Sequence, residues 1–282
     1  MSEVVLKVEG LKTWFHTPEG VVRAVDGVSF DIRAGETLAL LGESGSGKSI
    51  TALSLLQLVP EPAGRIVAGQ AWLRGEDILA LPERAMRRVR GRRLATIFQE
   101  PQTSLNPVMT VGLQIHEALA DRTLTRDTAR ARVVELLESV GIPDARRRYD
   151  AYPHQLSGGM KQRVMIAMAL AAEPDVLIAD EPTTALDVTT QAQILKLLKA
   201  LQRKTGTAIL LITHDLGVVS EMADQVAVMY AGVVVENARA RDFFGAPRHP
   251  YSQKLFRSLP SRLKRGAALD VIRGSVPRLT QA

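Results

Sequence analysis

The segment that most constrains this chain is Gly42-Glu43-Ser44-Gly45-Ser46-Gly47-Lys48-Ser49, which fits G-x-x-x-x-G-K-[ST]. It follows an apolar run, Thr37 to Leu41, that reads as a strand, and it precedes the helix-like Ile50 to Leu58. A strand, a glycine-rich turn and a helix in that order present successive backbone N–H groups and a helix N-terminus to phosphate oxygens. Lys48 supplies the charge that neutralises the β and γ phosphates, and Ser49 a hydroxyl for Mg²⁺. A chain built around such a turn is α/β, with this strand buried in a sheet.

Two further segments carry chemistry. Asp175 to Glu181 (DVLIADE) is a buried strand ending in two acids. Acids at a strand tip beside a triphosphate need a cation, so Asp180 is expected to hold Mg²⁺, while Glu181, one residue on, polarises an attacking water. Leu156-Ser157-Gly158-Gly159-Met160 sets Ser157, Gly158 and Gly159 before a helix expected over Lys161 to Ala172, which makes a second anion-binding device. One triphosphate does not need both devices. The second therefore serves a nucleotide held by another subunit.

The organisation along the chain agrees with this. Short β signals crowd residues 1–95: Val4 to Val8, Trp14 to Phe15, Val21 to Ile32 and Ile66 to Leu73 before a turn at Arg74-Gly75. After Gly91 the pattern becomes helical, and Ala129 to Val140 places Val133, Leu136, Leu137 and Val140 at helical spacing. From Lys161 helix and strand alternate, which implies parallel strands, with a helix over Val188 to Lys204 that buries Ile194, Leu197, Leu198 and Leu201 and stops at Gly206. Pro247, Pro250, Pro260 and Pro277 argue against long helices in the tail. The expected parts are a β subdomain with the phosphate-loop part of the core (1–95), a helical subdomain (96–160), the rest of the core (161–235) and a basic extension (236–282).

Composition removes several alternatives. There are no cysteines, which excludes a disulfide framework, a thiolate zinc site and a cysteine nucleophile. The opening residues carry Glu3, Lys7 and Glu9, unlike the apolar core of a signal peptide, and Ala208 to Ile212 is far short of the roughly 18 apolar residues that span a bilayer. The chain is expected not to cross a membrane by itself. The net charge of +6 is a property of the tail: residues 236–282 hold ten Lys/Arg against three acids, which leaves 26 against 27 in the rest. The arginine clusters at Arg84 to Arg93 and Arg146 to Arg148 lie among acids and read first as solvated faces, with contact to a partner or to anionic lipid headgroups as the alternative.

These motifs in this order resemble the ATP-binding cassette (ABC) ATPases, a P-loop NTPase fold with a mostly parallel core sheet, an N-terminal antiparallel β subdomain and a helical insertion. LSGGM stands where that family usually has LSGGQ. The resemblance implies ATP and Mg²⁺ as ligands. It makes Gln99 the Q-loop residue that contacts Mg²⁺ and the transmembrane partner, Asp187 part of the D-loop, and His214 the switch histidine on the γ-phosphate. Phe15 stands where an aromatic ring meets adenine, with Trp14 adjacent on the opposite face. Ile97 to Val108 (IFQEPQTSLNPV), Leu156 to Ala171, Thr213 to Val219 (THDLGVV) and His249 to Pro260 (HPYSQKLFRSLP) are similar to the ATPases of dipeptide, oligopeptide and nickel importers. Met160 resembles the first of that subfamily's two ATPase subunits. The resemblance implies a second, different ATPase chain carrying LSGGQ, two transmembrane permease subunits, an external solute-binding protein and a peripheral place on the cytoplasmic face of the inner membrane. No iron–sulfur cluster is expected, since the cysteines that hold it in many relatives are absent.

Two other classes are weaker. Soluble cassette proteins acting on DNA or ribosomes usually carry a second cassette or a long coiled-coil insertion between the Q-loop and the signature, whereas Gln99 and Ser157 are 58 residues apart. No nucleic-acid partner is expected. A degenerate module that holds ATP without hydrolysis would not need both Glu181 and His214. Peptide is the default cargo, with nickel, glycosides and opine-like solutes open.

Overall fold

The computed structural model describes residues 3–99, 104–119, 123–184 and 186–257. In chain order the elements begin with β1 (Val4–Thr17), β2 (Gly20–Arg33), β3 (Thr37–Leu41), α1 (Lys48–Leu55), β4 (Gly64–Leu73) and β5 (Glu76–Asp77). Then come α2 (Glu83–Val89), β6 (Leu94–Ile97), α3 (Val111–Ala118), α4 (Arg126–Ser139), the single turn α5 (Ala145–Arg148) and α6 (Gly158–Leu170). The chain continues with β7 (Val176–Asp180), α7 (Val188–Thr205), β8 (Ala208–Thr213), α8 (Leu216–Met222), β9 (Gln225–Tyr230), β10 (Val233–Arg239), α9 (Ala240–Gly245) and α10 (Pro250–Arg257).

These elements form two compact units. One contains residues 7–31, 37–79 and 213 onward. Its four-stranded sheet has the order β2-β1-β4-β5, and the β4–β5 hairpin closes through Arg74 and Gly75, both at positive φ (46° and 81°), as a tight two-residue turn requires. The same unit holds β3 parallel to β9 and β9 antiparallel to β10, with a bulge between Val234 and Glu236. Asp224 locks the entry to β3: its carboxylate accepts the Thr37 N–H at 2.8 Å, and its own N–H donates to the Thr37 carbonyl at 2.9 Å. Against β3 and β9 packs a core of Ala39, Leu41, Leu216, Val219, Val226, Val228, Phe243 and Tyr251.

The other unit contains residues 32–36 and 80–212 with the first few residues of the chain. There β6, β7 and β8 are parallel, in register from Leu94↔Val176 and Val176↔Ala208 onward, as the alternation of helix and strand implies. The helical part packs α3 and α4 on each other and on α6. Val133, Leu136, Leu137 and Val140 are all buried, as their spacing predicts. α7 differs in detail from its expected face: Ile194, Leu195 and Leu198 are buried, whereas Leu197 and Leu201 are only half-buried. The arginines after Glu83 are held on the surface, Arg87 and Arg90 reaching its carboxylate at 3.0 and 2.9 Å. The hydrogen bond from Arg90, then that from Arg87, pulls the Glu83 carboxyl down to about 2.

The tail keeps its helices short, as its prolines require: α9 stops before Pro247, and Pro250 takes the first position of α10, where a missing N–H costs nothing. Residues 258–282, including Pro260, Pro277 and most of the basic excess, lie outside the described residues. Phe243 is the largest fully buried side chain in its unit's core and meets Phe244 and Phe256 edge-on at 5.6 and 5.1 Å. Phe243→Ala is expected to lower unfolding free energy by about 3–5 kcal/mol in denaturant titration. A change under about 1 kcal/mol would show that this cluster does not hold the unit together.

Candidate active site

The phosphate loop is built from β3, which is buried along its whole length, and α1. Gly47 caps α1 in a left-handed conformation, φ 105°, and a Cβ there would collide with the Ala24 carbonyl oxygen. A Cβ on Gly42 would collide with the Met229 carbonyl oxygen and lie 2.7 Å from Ser46 Oγ. The loop is therefore pressed against its own unit's backbone, and only glycine fits at its two ends. Lys48 is 5% exposed, and its ammonium donates to the carbonyls of Gly42 and Glu43 at 2.8 and 2.7 Å. Ser46 Oγ lies 3.4 Å away from the same nitrogen. A buried cation is tolerated only with such acceptors, and here they fix its position at the head of the loop.

The rest of the loop is held by the same unit. The Ser46 N–H donates to the Glu43 carbonyl at 3.2 Å, and the Gly232 N–H donates to the Ser46 carbonyl at 3.0 Å. The Glu43 N–H donates to the Tyr251 hydroxyl oxygen at 3.2 Å. Tyr251 is buried, and burial pushes its hydroxyl up to about 12, so it remains a neutral phenol throughout the physiological range. Its ring lies 4.6 Å from that of Tyr230. His214, in this unit too, is exposed at the junction of β8 and α8. That junction is fixed by the Asp215 N–H on Thr213 Oγ1 at 3.0 Å and by the Asp215 carboxylate capping the Gly217 N–H at 2.7 Å.

Of the adjacent aromatics on β1, Trp14 lies under the Arg23 guanidinium, 5.4 Å from its ring centre. Phe15 is half-buried and borders Gly64, where a Cβ would lie 2.7 Å from its Cε1. The two rings thus have different neighbours, as alternation along a strand demands.

The other unit carries the carboxylates. β7 is buried from Val176 to Ala179 and brings Asp180 to its tip, opposite Ile212 of β8. Glu181 follows at φ 46°, a left-handed conformation that its N–H stabilises by donating to the Ile212 carbonyl at 2.9 Å. Its carboxylate Oε2 accepts two bonds, from Gln99 Nε2 at 2.8 Å and from Thr184 Oγ1 at 2.9 Å. The structure thus joins Gln99, just beyond β6, to Glu181, 82 residues later. Sequence reasoning missed Thr184, although a hydroxyl three residues beyond an acid in a turn is a recurrent partner.

The signature helix starts earlier than its sequence pattern suggests. α6 begins at Gly158 because Ser157 is its N-cap, accepting the Met160 N–H at 3.3 Å, so the whole Ser-Gly-Gly motif forms the first turn. The helix ends at Leu170, ahead of Pro174. Gln162 on α6 is buried and donates to the Pro182 carbonyl at 2.6 Å, which ties the signature helix to the turn after Glu181. Nothing in the local sequence marks that bond. Asp187 caps α7, accepting from Thr190 N–H and Oγ1 at 2.9 and 2.6 Å, and those bonds, the Thr190 hydroxyl's first, lower its carboxyl below the usual range. Ala185 of the same motif lies outside the described residues, as do residues 100–103 after Gln99.

Asp180 offers a hard carboxylate oxygen and Gln99 an amide oxygen, donor types suited to a Mg²⁺ that keeps water and takes phosphate oxygens for its other ligands. Among the described residues no group of three or more His, Asp or Glu side chains could cage a metal.

Residues 25–184 match the ABC transporter family, and residues 235–282 match the oligopeptide/dipeptide transporter C-terminal region. The chain is 51% identical to the probable peptide ABC transporter ATP-binding protein y4tR of Sinorhizobium fredii, over 99% of this chain and 84% of that protein. It is 50% identical to the dipeptide transport ATP-binding protein DppD of Bacillus subtilis, over 98% of this chain and 83% of that one. Among solved structures it resembles the ATP-binding cassette MJ0796 in a dimeric post-hydrolysis state bound to ADP and Pi, with a TM-score of 0.75, 28% identity, and coverage of 84% of this chain and 99% of that chain.

Gly47→Ala is expected to distort the loop, since the substituted residue must hold φ near 105° and meet the Ala24 carbonyl. Equilibrium binding of a labelled nucleoside triphosphate should weaken by at least tenfold, an effect of about 1.4 kcal/mol or more. Unchanged affinity would mean that the loop tolerates a side chain where the structure leaves no room.

Proposed function

The chain belongs to the ABC transporter family, and from that premise we propose that it is the ATP-hydrolysing subunit of an importer that takes up dipeptides, oligopeptides or a related small solute. The observation that carries this is the buried Lys48 ammonium at the head of a loop closed by Gly42 and Gly47, followed by the intact Asp180-Glu181 pair. Peptide cargo rests on the relatives' names and on the match of residues 235–282 to the peptide-transporter C-terminal region.

Residues 42–49 receive the triphosphate: loop N–H groups bond its oxygens, and Lys48 offsets its charge. Mg²⁺, held by Ser49, Asp180 and Gln99 with phosphate oxygens, would supply further charge neutralisation. Phe15 stacks on adenine, since the ring of Trp14, equally half-buried on β1, is taken by Arg23. Glu181 accepts the proton of the attacking water, and Thr184 and Gln99 hold its carboxylate. His214 contacts the γ-phosphate. Ser157, Gly158 and Gly159, with Asp187, act on the nucleotide of a second cassette, which we take to be a different chain carrying LSGGQ.

Among the described residues no helix is long and apolar enough to cross a membrane; the transport names of the relatives support a solute path carried by partner chains. Two permease subunits fit this role, fed by an external solute-binding protein, with this chain peripheral on the cytoplasmic side. Phe98, Val108 and Leu113, near the Q-loop in sequence, are 43%, 79% and 47% exposed, apolar side chains available to such subunits.

Two substitutions test the assignment in the assembled transporter. Lys48→Ala should abolish productive ATP binding, whereas Glu181→Gln should retain MgATP and slow its hydrolysis by ~10² or more. With the partner's site disabled, near-normal turnover by Glu181→Gln would show that the base is another group.

A further inference from the structure

The His249 to Tyr251 segment falls in a region matched to a family C-terminal part, 235–282, yet the reaction described above uses none of it. The structure gives it a definite position. Glu236 on β10 is buried and accepts the N–H groups of Arg248 and His249 at 2.8 and 3.0 Å. Burial raises the Glu236 carboxyl, and these bonds, that from Arg248 foremost, outweigh it, so the group is held as a carboxylate below its ordinary range. The Tyr251 N–H donates to His249 Nδ1 at 3.2 Å, which fixes the start of α10. Tyr251 is thereby delivered into the core beside Tyr230, with its hydroxyl on the Glu43 N–H, 208 residues earlier in the chain.

The Glu43 residue is gripped from both sides of its own backbone. Its N–H goes to Tyr251 at 3.2 Å, and its carbonyl accepts the Lys48 ammonium at 2.7 Å. We infer that Tyr251 is a positioning residue of the phosphate loop: its hydroxyl holds the Glu43 backbone in the orientation that seats Lys48 for the β and γ phosphates, so the C-terminal region sets nucleotide affinity. This rests on the phosphate-loop assignment above. Without the hydroxyl, the Glu43 N–H loses its partner and the loop carbonyls that hold Lys48 gain freedom, so order must be restored when the nucleotide binds.

The test is MgATP binding to the purified full-length chain, with Tyr251→Phe, Tyr230→Phe and Lys48→Ala compared with the unsubstituted chain. Tyr251→Phe keeps the ring and should weaken MgATP by about threefold to tenfold, the scale of one hydrogen bond. Hydrogen exchange at the Glu43 amide should quicken in the same variant. In the assembled ATPase the loss should appear in KM, with kcat within about twofold of its original value. Tyr230→Phe trims a hydroxyl from the neighbouring ring of the same cluster and should leave binding unchanged. Unchanged affinity in Tyr251→Phe, or equal losses in both tyrosine variants, would overturn the positioning role. If the unsubstituted chain and Lys48→Ala bind MgATP equally, the phosphate-loop assignment itself fails, and the role of Tyr251 goes with it.

Discussion

A lysine ammonium that is 5% exposed is the constraint from which the phosphate-binding unit follows. A cation taken out of water needs acceptors in fixed places, and here they are the carbonyls of Gly42 and Glu43. Aiming carbonyls at one point requires a tight loop, and the loop is so close to the backbones at Ala24 and Met229 that side chains are excluded from both of its ends. β3, which carries the loop, is buried along its whole length. An arriving triphosphate completes the coordination of a charge already in place, so little order has to be created on binding.

In the other unit the same economy appears at helix starts. Ser157 and Asp187 each accept an N–H from the first turn of the helix they begin, so motifs assigned to nucleotide contact also cap α6 and α7. Two bonds then fix the Glu181 carboxylate, and Gln162 links α6 to the turn that holds it. Gln99 is thus bonded to Glu181 itself, and α6 to the turn that follows it. That arrangement suits an ATPase whose turnover answers to partners bound elsewhere.

What was legible in the sequence follows from the range of the interactions. The phosphate loop, the β7 strand and the helices around Val133 and Ile194 were readable because glycine placement, apolar runs and helical spacing are local signals. β1 read as two separate pieces, Val4 to Val8 and Trp14 to Phe15, because Gly10 interrupts the pattern. In the structure Gly10 adopts φ 57° within one continuous strand, and its N–H donates to Ser29 Oγ at 2.9 Å. The start of α6 was placed three residues late because Gly158 and Gly159 are poor helix formers, and the Ser157 cap outweighs that preference. Gln99 to Glu181, Gln162 to Pro182 and Tyr251 to Glu43 were out of reach, since each joins residues that only the folded chain brings together.

On the proposed function, this chain would carry half of two sites: a phosphate loop for its own nucleotide and a signature turn for that of a second cassette. The most direct measurement is the MgATP hydrolysis rate of the purified chain alone against the rate after assembly with its second cassette and membrane subunits. The account predicts slow hydrolysis by the isolated chain and a rate higher by an order of magnitude or more in the assembly, roughly 1.4 kcal/mol of added transition-state stabilisation. Equal rates in the two states would contradict it, because a complete site would then exist within this chain.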